Sequence, residues 1–396
     1  MLHSAVTDSL LYERPVFATP PAEPTVSRQA TLDRVLAEIR ARREEFDAKR
    51  HVPRDMVAHL KQLGVYRAAT PRCFGGDACS PAEFLKLIET ISEADGSAGW
   101  VASFGSALVY LAALPRETLG QLYANGPDVA FAGGLFPIQP AEKVDGGYRV
   151  NGLWKFASGC KGADILGVGI GAGPGGKPRT AVLRPEDVEI IENWEVIGLR
   201  GTGSHDLRVN DVFVADEWTF VRGGTPSIDE PLYRYPSIAY AAQVLAVVNL
   251  GVARAALDEV LRMAGGRTGI TGAPKMADRA YLRISVARAE AELRSARAFF
   301  YDATGSAWDT ILKGDDVTPE QTSLLRLSAV QAARSGASAV QAAYLLAGTA
   351  AIYDGHPLQR YLRDAMVVTQ HAFLGEGLYD AAGAVSLGVP PMPGYI

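Results

Sequence analysis

A chain of 396 residues with 48% hydrophobic and 21% charged residues can bury a large core, shared among two or three sub-domains. Its net charge of −5 offers no clustered basic face of the kind nucleic acid requires, and no apolar run reaches the roughly 18–20 residues of a membrane helix. Met1 to Pro24 lacks a signal-peptide core and reads as a loose tail. Cys73, Cys79 and Cys160 are odd in number without metal-type spacing, and the six histidines form no ligand pattern. Free thiols, a reducing cytoplasm and no metal are the expectation.

Residues 25–125 carry helical periodicity. Leu32, Val35, Leu36 and Ile39 recur at helix spacing, as do Met56, Val57, Leu60 and Leu63, with Gly64 as a stop. Ser80-Pro81-Ala82-Glu83 predicts a capped helix start. Residues 126–234 change character, with dense glycine and short β runs. Glu142–Val144 and Tyr148–Val150 flank Asp145-Gly146-Gly147, a hairpin signal. Ile165–Ile170, Thr180–Leu183, Val188–Ile191 and Val209–Val214 are further strand candidates, which together suggest a barrel or sandwich. Gly171 to Gly176 lacks the dinucleotide-binding spacing and reads as a hairpin loop. Residues 235–396 are helical again: Ala239–Ala264, Lys275–Leu312, a helix opened by Thr318-Pro319-Glu320-Gln321, and Leu358–Leu387, broken near Gly375 and Gly377. Long helices with apolar stripes predict a bundle.

Several stretches resemble the acyl-CoA dehydrogenase superfamily. Gly152-Leu153-Trp154-Lys155-Phe156-Ala157-Ser158-Gly159-Cys160 resembles its flavin-side strand, and Arg363-Asp364-Ala365 the segment before its catalytic loop. Ala94-Asp95-Gly96-Ser97-Ala98-Gly99-Trp100, Trp194 to Asp206 and Thr369-Gln370-His371 resemble a narrower group, the flavin-dependent monooxygenases that borrow this fold. The resemblance covers nearly the whole chain after Thr25. It implies an α+β fold of the acyl-CoA dehydrogenase type: an N-terminal helical domain, a central β-barrel or sandwich, and a C-terminal four-helix bundle. It implies an oxygenase component that takes reduced flavin (FMN or FAD) from a separate NAD(P)H flavin reductase. With O2 the flavin forms a C4a-hydroperoxide that hydroxylates a small molecule. A homotetramer is the assembly it implies.

The resemblance also implies site residues. His371 and Ser158 are the catalytic candidates, with Ser158 offering a hydroxyl or backbone N–H donor at flavin N5. Phe156, Ala157, Ser158 and Gln370 would line the flavin, and Arg267 and Thr268 would reach its phosphate; alternatively Arg267 is a helix C-terminal cation. Trp100, Phe104 and His205 are the substrate-side candidates, with core packing the alternative for Trp100. Ser204-His205-Asp206 is too local to be a triad, whose members converge from separate segments.

The place where a dehydrogenase of this superfamily carries its base falls at Ala372, which cannot abstract a proton. His371 can, with an ordinary pKa of roughly 6.5. Glu376, one turn on, keeps an FAD-dependent acyl-CoA dehydrogenase as the alternative. Two departures concern the phenol-hydroxylating branch: Val101 to Leu111 has no histidine, and Gly162 stands where that branch often carries one. They leave room for a polycyclic natural product, or for an amine such as an amino sugar oxygenated at nitrogen.

Overall fold

The computed structural model describes residues 27–171, 177–265 and 275–395. Its N-terminal region comprises α1 (Arg28–Ala41), α2 (Arg43–Lys49), α3 (Arg54–Gln62), α4 (Pro81–Ala94), α5 (Gly96–Ser103), α6 (Leu108–Leu111) and α7 (Arg116–Leu122). The apolar stripes of α1 and α3 are buried through Val35, Leu36, Ile39, Met56, Val57 and Leu60. At the start of α4, Ser80 Oγ accepts the Glu83 N–H while the Glu83 carboxylate accepts the Ser80 N–H, with Pro81 in the first turn. Asp95 ends α4 and starts α5, its carboxylate accepting the Ala98 N–H at 2.9 Å. Trp100 therefore stands on a short helix whose residues are all buried.

The middle region holds β1 (Phe131–Pro140), β2 (Glu142–Val144), β3 (Gly147–Ala157), β4 (Ile165–Gly171), β5 (Arg179–Leu183), β6 (Glu189–Ile191), β7 (His205–Ala215) and β8 (Thr219–Val221). They make two four-stranded sheets, ordered β1-β4-β5-β8 and β2-β3-β7-β6. Only the β1–β4 pairing among these is parallel. Val150, Trp154, Leu166, Val168, Leu207 and Val209 form the core of this sandwich. The Trp154 indole N–H donates to the Gly169 carbonyl at 2.7 Å, which satisfies the polar atom of a fully buried ring.

The expected hairpin is present, with Glu142 opposite Arg149 and Gly146 at φ +72°. β1 and β8 escaped the strand reading. β1 contains Gly133, Gly134, Pro137 and Pro140, which disfavour strands. It forms because it must pass close over β3: a Cβ at Gly134 would lie 2.9 Å from the Trp154 Cβ. β7 begins at His205, four residues before the expected Val209. Past Gly171, the predicted glycine-rich loop lies outside the described residues.

The C-terminal region contains α8 (Ser237–Ala264), α9 (Ala280–Leu312), α10 (Pro319–Ala347), α11 (Pro357–Val368) and α12 (Gly377–Ser386). Thr318 and Gln321 close the expected capping box of α10. The final break comes earlier than the glycines suggested. Thr369 Oγ1 donates to the Met366 carbonyl at 2.7 Å, and His371 Nδ1 accepts the Phe373 N–H at 3.2 Å. These side chains satisfy backbone groups a continuous helix would pair, so the helix yields at Val368. One apolar core runs through both helical regions, while the β sandwich has its own. No helix among the described residues is long and apolar enough to cross a membrane.

Candidate active site

The site begins with a backbone oddity. Leu199 adopts φ +50°, a conformation uncommon for a branched side chain. It is held from both sides. Its N–H donates to Asp364 Oδ1 at 2.6 Å. Its carbonyl accepts the Trp194 indole N–H at 3.1 Å and the Thr202 hydroxyl at 2.9 Å. Asp364 is buried, and burial followed by the nearby Asp95 pushes its pKa up to about 7. The glycines on either side are required by close approach. A Cβ at Gly198 would lie 2.3 Å from the Arg363 carbonyl oxygen, and one at Gly201 2.8 Å from the Phe46 Cβ. The Gly201 N–H donates to Ser97 Oγ at 3.1 Å. The 198–204 segment is thus pinned between α2, α5 and α11.

That pinning delivers Ser204 to Ser158. Their hydroxyl oxygens are 2.6 Å apart, and Ser204 lies 2.7 Å from Thr202 Oγ1. The Trp100 indole N–H donates to Ser158 Oγ at 3.1 Å. Each hydroxyl has one proton to give. Thr202 gives its proton to Leu199, so Ser204 donates to Thr202 and Ser158 donates to Ser204. The chain of bonds runs one way, from Trp100 to the Leu199 carbonyl. Ser158 offers its surroundings a lone pair and no hydroxyl proton, whereas a donor was expected. Its backbone N–H donates to the Phe156 carbonyl at 2.9 Å.

The Trp100 ring also meets His371 edge-on, centroids 5.8 Å apart, and His371 meets Phe373 at 5.1 Å. Because His371 Nδ1 accepts the Phe373 N–H, the ring proton resides on Nε2. Burial, and then the charge of Arg222, push the imidazole pKa down to about 4. His371 is therefore a neutral N–H donor near pH 7 and a weak base. Beyond Phe373, the Arg222 guanidinium lies 5.5 Å from that ring and 4.5 Å from the Tyr110 ring.

The remaining expected residues fall as follows. Phe156 has φ +63° and is 66% exposed, with Trp194 edge-on at 6.3 Å. Ala157 is buried and pairs with His205 across the sheet. His205 Nδ1 accepts the Asn193 and Trp194 N–H groups at 3.2 Å each, which anchors the turn bearing Trp194; its buried Nε2 has no partner among the described residues. Phe104 lies one turn after Trp100 and is partly buried. Gln370 is exposed, and its side-chain amide donates to the neighbouring Thr369 hydroxyl at 3.2 Å. Arg267 and Thr268 lie outside the described residues. A side chain at Gly162 would meet Val57 at 2.7 Å, so α3 leaves no room for a histidine there. Thr202 was read only as part of a structural turn between two glycines, and Arg222, Tyr110 and Phe373, which carry no local signal, were not singled out in the sequence.

Phe156, two residues before Ser158, leaves 66% of its surface exposed, an apolar face that suits a flavin ring. Two cavities, of about 430 and 320 Å³, are lined by neither Ser158 nor His371; the smaller is lined by Tyr110, Gly223 and Ser237.

Residues 23–120 match the acyl-CoA dehydrogenase N-terminal domain and residues 243–376 the C-terminal domain. The chain is 56% identical to an indole-3-acetate monooxygenase of Pseudomonas putida, over 90% of this chain and 92% of that protein. The chain belongs to the acyl-CoA dehydrogenase family. Within it, this is a flavin-dependent monooxygenase. An oxygenase subunit of a flavin-dependent monooxygenase from Rhodococcus jostii is 28% identical over 91% of this chain and 98% of its own. The crystal structure of 3-HSA hydroxylase from Rhodococcus sp. RHA1 superposes with a TM-score of 0.87 at 26% identity, covering 94% of this chain and all of that one. The monooxygenase site is consistent with the fate of Glu376, the carboxylate a dehydrogenase would need. It pairs with Arg334 of α10 at 2.9 Å and its side chain is 79% exposed. Ala372 is exposed as well.

Proposed function

We propose that this chain is the oxygenase component of a two-component system that hydroxylates the aromatic ring of indole-3-acetate, receiving reduced FMN or FAD from a separate NAD(P)H-dependent reductase. The observation that carries the reading is the neutral His371, whose Nε2–H has no acceptor among the described residues, set between the rings of Trp100 and Phe373 and joined through Trp100 to Ser158. Reduced flavin, when bound, supplies the activation of O2. His371 contributes an N–H donor for negative charge that develops on oxygen, worth about 2–4 kcal/mol in a dry cleft. Ser158 contributes a fixed acceptor. Trp100, Phe104 and Phe373 supply flat apolar walls for an aromatic ring. The names of the relatives point to the same substrate class. The alternative of oxygenation at an amine nitrogen has less support, since a cationic amine would approach the positive charge of Arg222.

The test supplies the full-length protein with reductase, NADH, O2 and indole-3-acetate, and counts product and hydrogen peroxide per NADH. The wild type is expected to form oxygenated product. His371→Ala is expected to form it about 100-fold more slowly, with peroxide in its place. Unchanged coupling in that variant removes His371 from the role. Peroxide alone from the wild type removes indole-3-acetate as substrate.

A further inference from the structure

Arg222 follows β8 directly and is the cation that reaches the ring cluster around His371. Its guanidinium is fixed by stacking on Tyr110 and by one bond, from Nη2 to the Tyr110 hydroxyl at 3.2 Å. Tyr110 is locked in turn, its O–H donating to the Ser237 carbonyl at 3.0 Å. Arg222 Nε is buried and has no hydrogen-bond partner, and among the described residues Arg222 forms no ion pair. Arg254 also has a buried Nε without a partner, but its charge is met by Asp258 and Glu290 at 2.7 Å each, and that of Arg360 by Asp47 at 3.1 Å. A guanidinium carries five N–H donors, and leaving the buried Nε–H without an acceptor is costly. The position is held firmly, yet most of its donors have no use inside the described chain.

We propose that Arg222 is a carboxylate-binding subsite, which takes the acid group of an aromatic substrate and sets its ring against Phe373, His371 and Trp100. This rests on the reading of the site as one for an aromatic substrate and adds how that substrate is oriented. The guanidinium fork matches a carboxylate with two charge-assisted bonds, and the stack on Tyr110 pre-orders it. A flavin phosphate is the other anion that could use the same donors, and the experiment separates the two.

Equilibrium titrations by calorimetry use the full-length protein, with and without saturating oxidised FMN. The probes are indole-3-acetate and its neutral isostere indole-3-acetamide, with FMN itself titrated in parallel. The wild type is expected to prefer the acid. Arg222→Met is expected to weaken acid binding about 10- to 100-fold, from the worth of hydrogen bonds to charged groups. Amide and FMN affinities stay within about twofold, which shows the site is still folded, and Arg222→Lys falls between. Acid affinity unchanged in Arg222→Met overturns the proposal, as does equal loss of acid and amide. Loss of FMN affinity in place of acid affinity gives the donors to the flavin and also overturns it. If the wild type binds no indole-3-acetate, phenylacetate and benzoate are titrated in its place. Arg222-dependent binding of either sustains the subsite while ending the indole-3-acetate reading; Arg222-independent binding, or none, ends the subsite. Normal turnover of indole-3-acetate with an Arg222→Met variant that keeps the acid preference ends the subsite alone.

Discussion

Ser158 and Arg222 lie at the two ends of one line of contacts, and they are built on opposite plans. At the Ser158 end every hydroxyl proton has a destination, each bond is fixed by the next, and the last acceptor is a strained peptide clamped by α11. At the Arg222 end the position is fixed by stacking, but among the described residues the charge has no ion-pair partner and the Nε donor no acceptor. A satisfied network resists rearrangement and holds shape. An unsatisfied buried donor beside the ring cluster leaves a bond that a ligand group can fill. The contrast assigns shape and polarity to one end and recognition to the other, with the neutral His371 between them.

The most severe way to break this contrast is to unseat the clamp. Gly198→Ala places a Cβ 2.3 Å from the Arg363 carbonyl, a backbone atom that cannot swing away. We expect a stability loss of about 3 kcal/mol, read as a lower midpoint in chemical or thermal unfolding. An unchanged midpoint would mean that the 198–204 segment is not held by α11.

A gentler change tests the direction of the chain and leaves the scaffold intact. Thr202→Val keeps the volume and removes the proton that sets the polarity, at a cost of about 1 kcal/mol. Ser204 and Ser158 are then free to reverse. The indole N–H resonance of Trp100 in a 15N-tryptophan spectrum is expected to move, and Thr202→Ser to restore it. Coincident spectra for valine and serine variants would show that Ser158 takes its orientation from elsewhere.

The smallest effect belongs to the link between the two ends. Removing a nearby cation lowers the cost of protonating an imidazole, so Arg222→Met should raise the His371 pKa from about 4. It should remain below the ordinary 6.5, because burial is the larger cause. An NMR titration of the His371 ring gives the value directly. In the wild type, His371 should contribute no limb to the activity profile between pH 5 and 8, since it is already neutral there. A His371 titration identical in the two proteins would separate it from Arg222.

How far the sequence could be read depended on how local the signal was. The capping boxes at Ser80 and Thr318 hold as expected, because each is closed by residues three apart. The hairpin at Gly146 is equally local. β1 was illegible because its glycines and prolines are tolerated only through packing against Trp154 of another strand. The last helix was expected to fail at its glycines, yet it fails where Thr369 and His371 compete for backbone groups. Ser204 was correctly kept out of a local triad with its neighbours, but its bonding to Ser158 needed two strands to meet.

The sequence by itself determined the order of helical, β and helical regions, the caps that begin the helices, and a short set of residues in which His371, Ser158 and Trp100 already stood. Tertiary structure alone decided what those residues can do. Trp100 and Ser158 are 58 positions apart, Tyr110 and Arg222 are 112, and Leu199 and Asp364 are 165. Proton direction, the lowered basicity of His371 and the unpaired charge of Arg222 all arise from such meetings. Local propensity acts over a few residues, whereas burial and charge act between whichever groups the fold brings within a few ångströms.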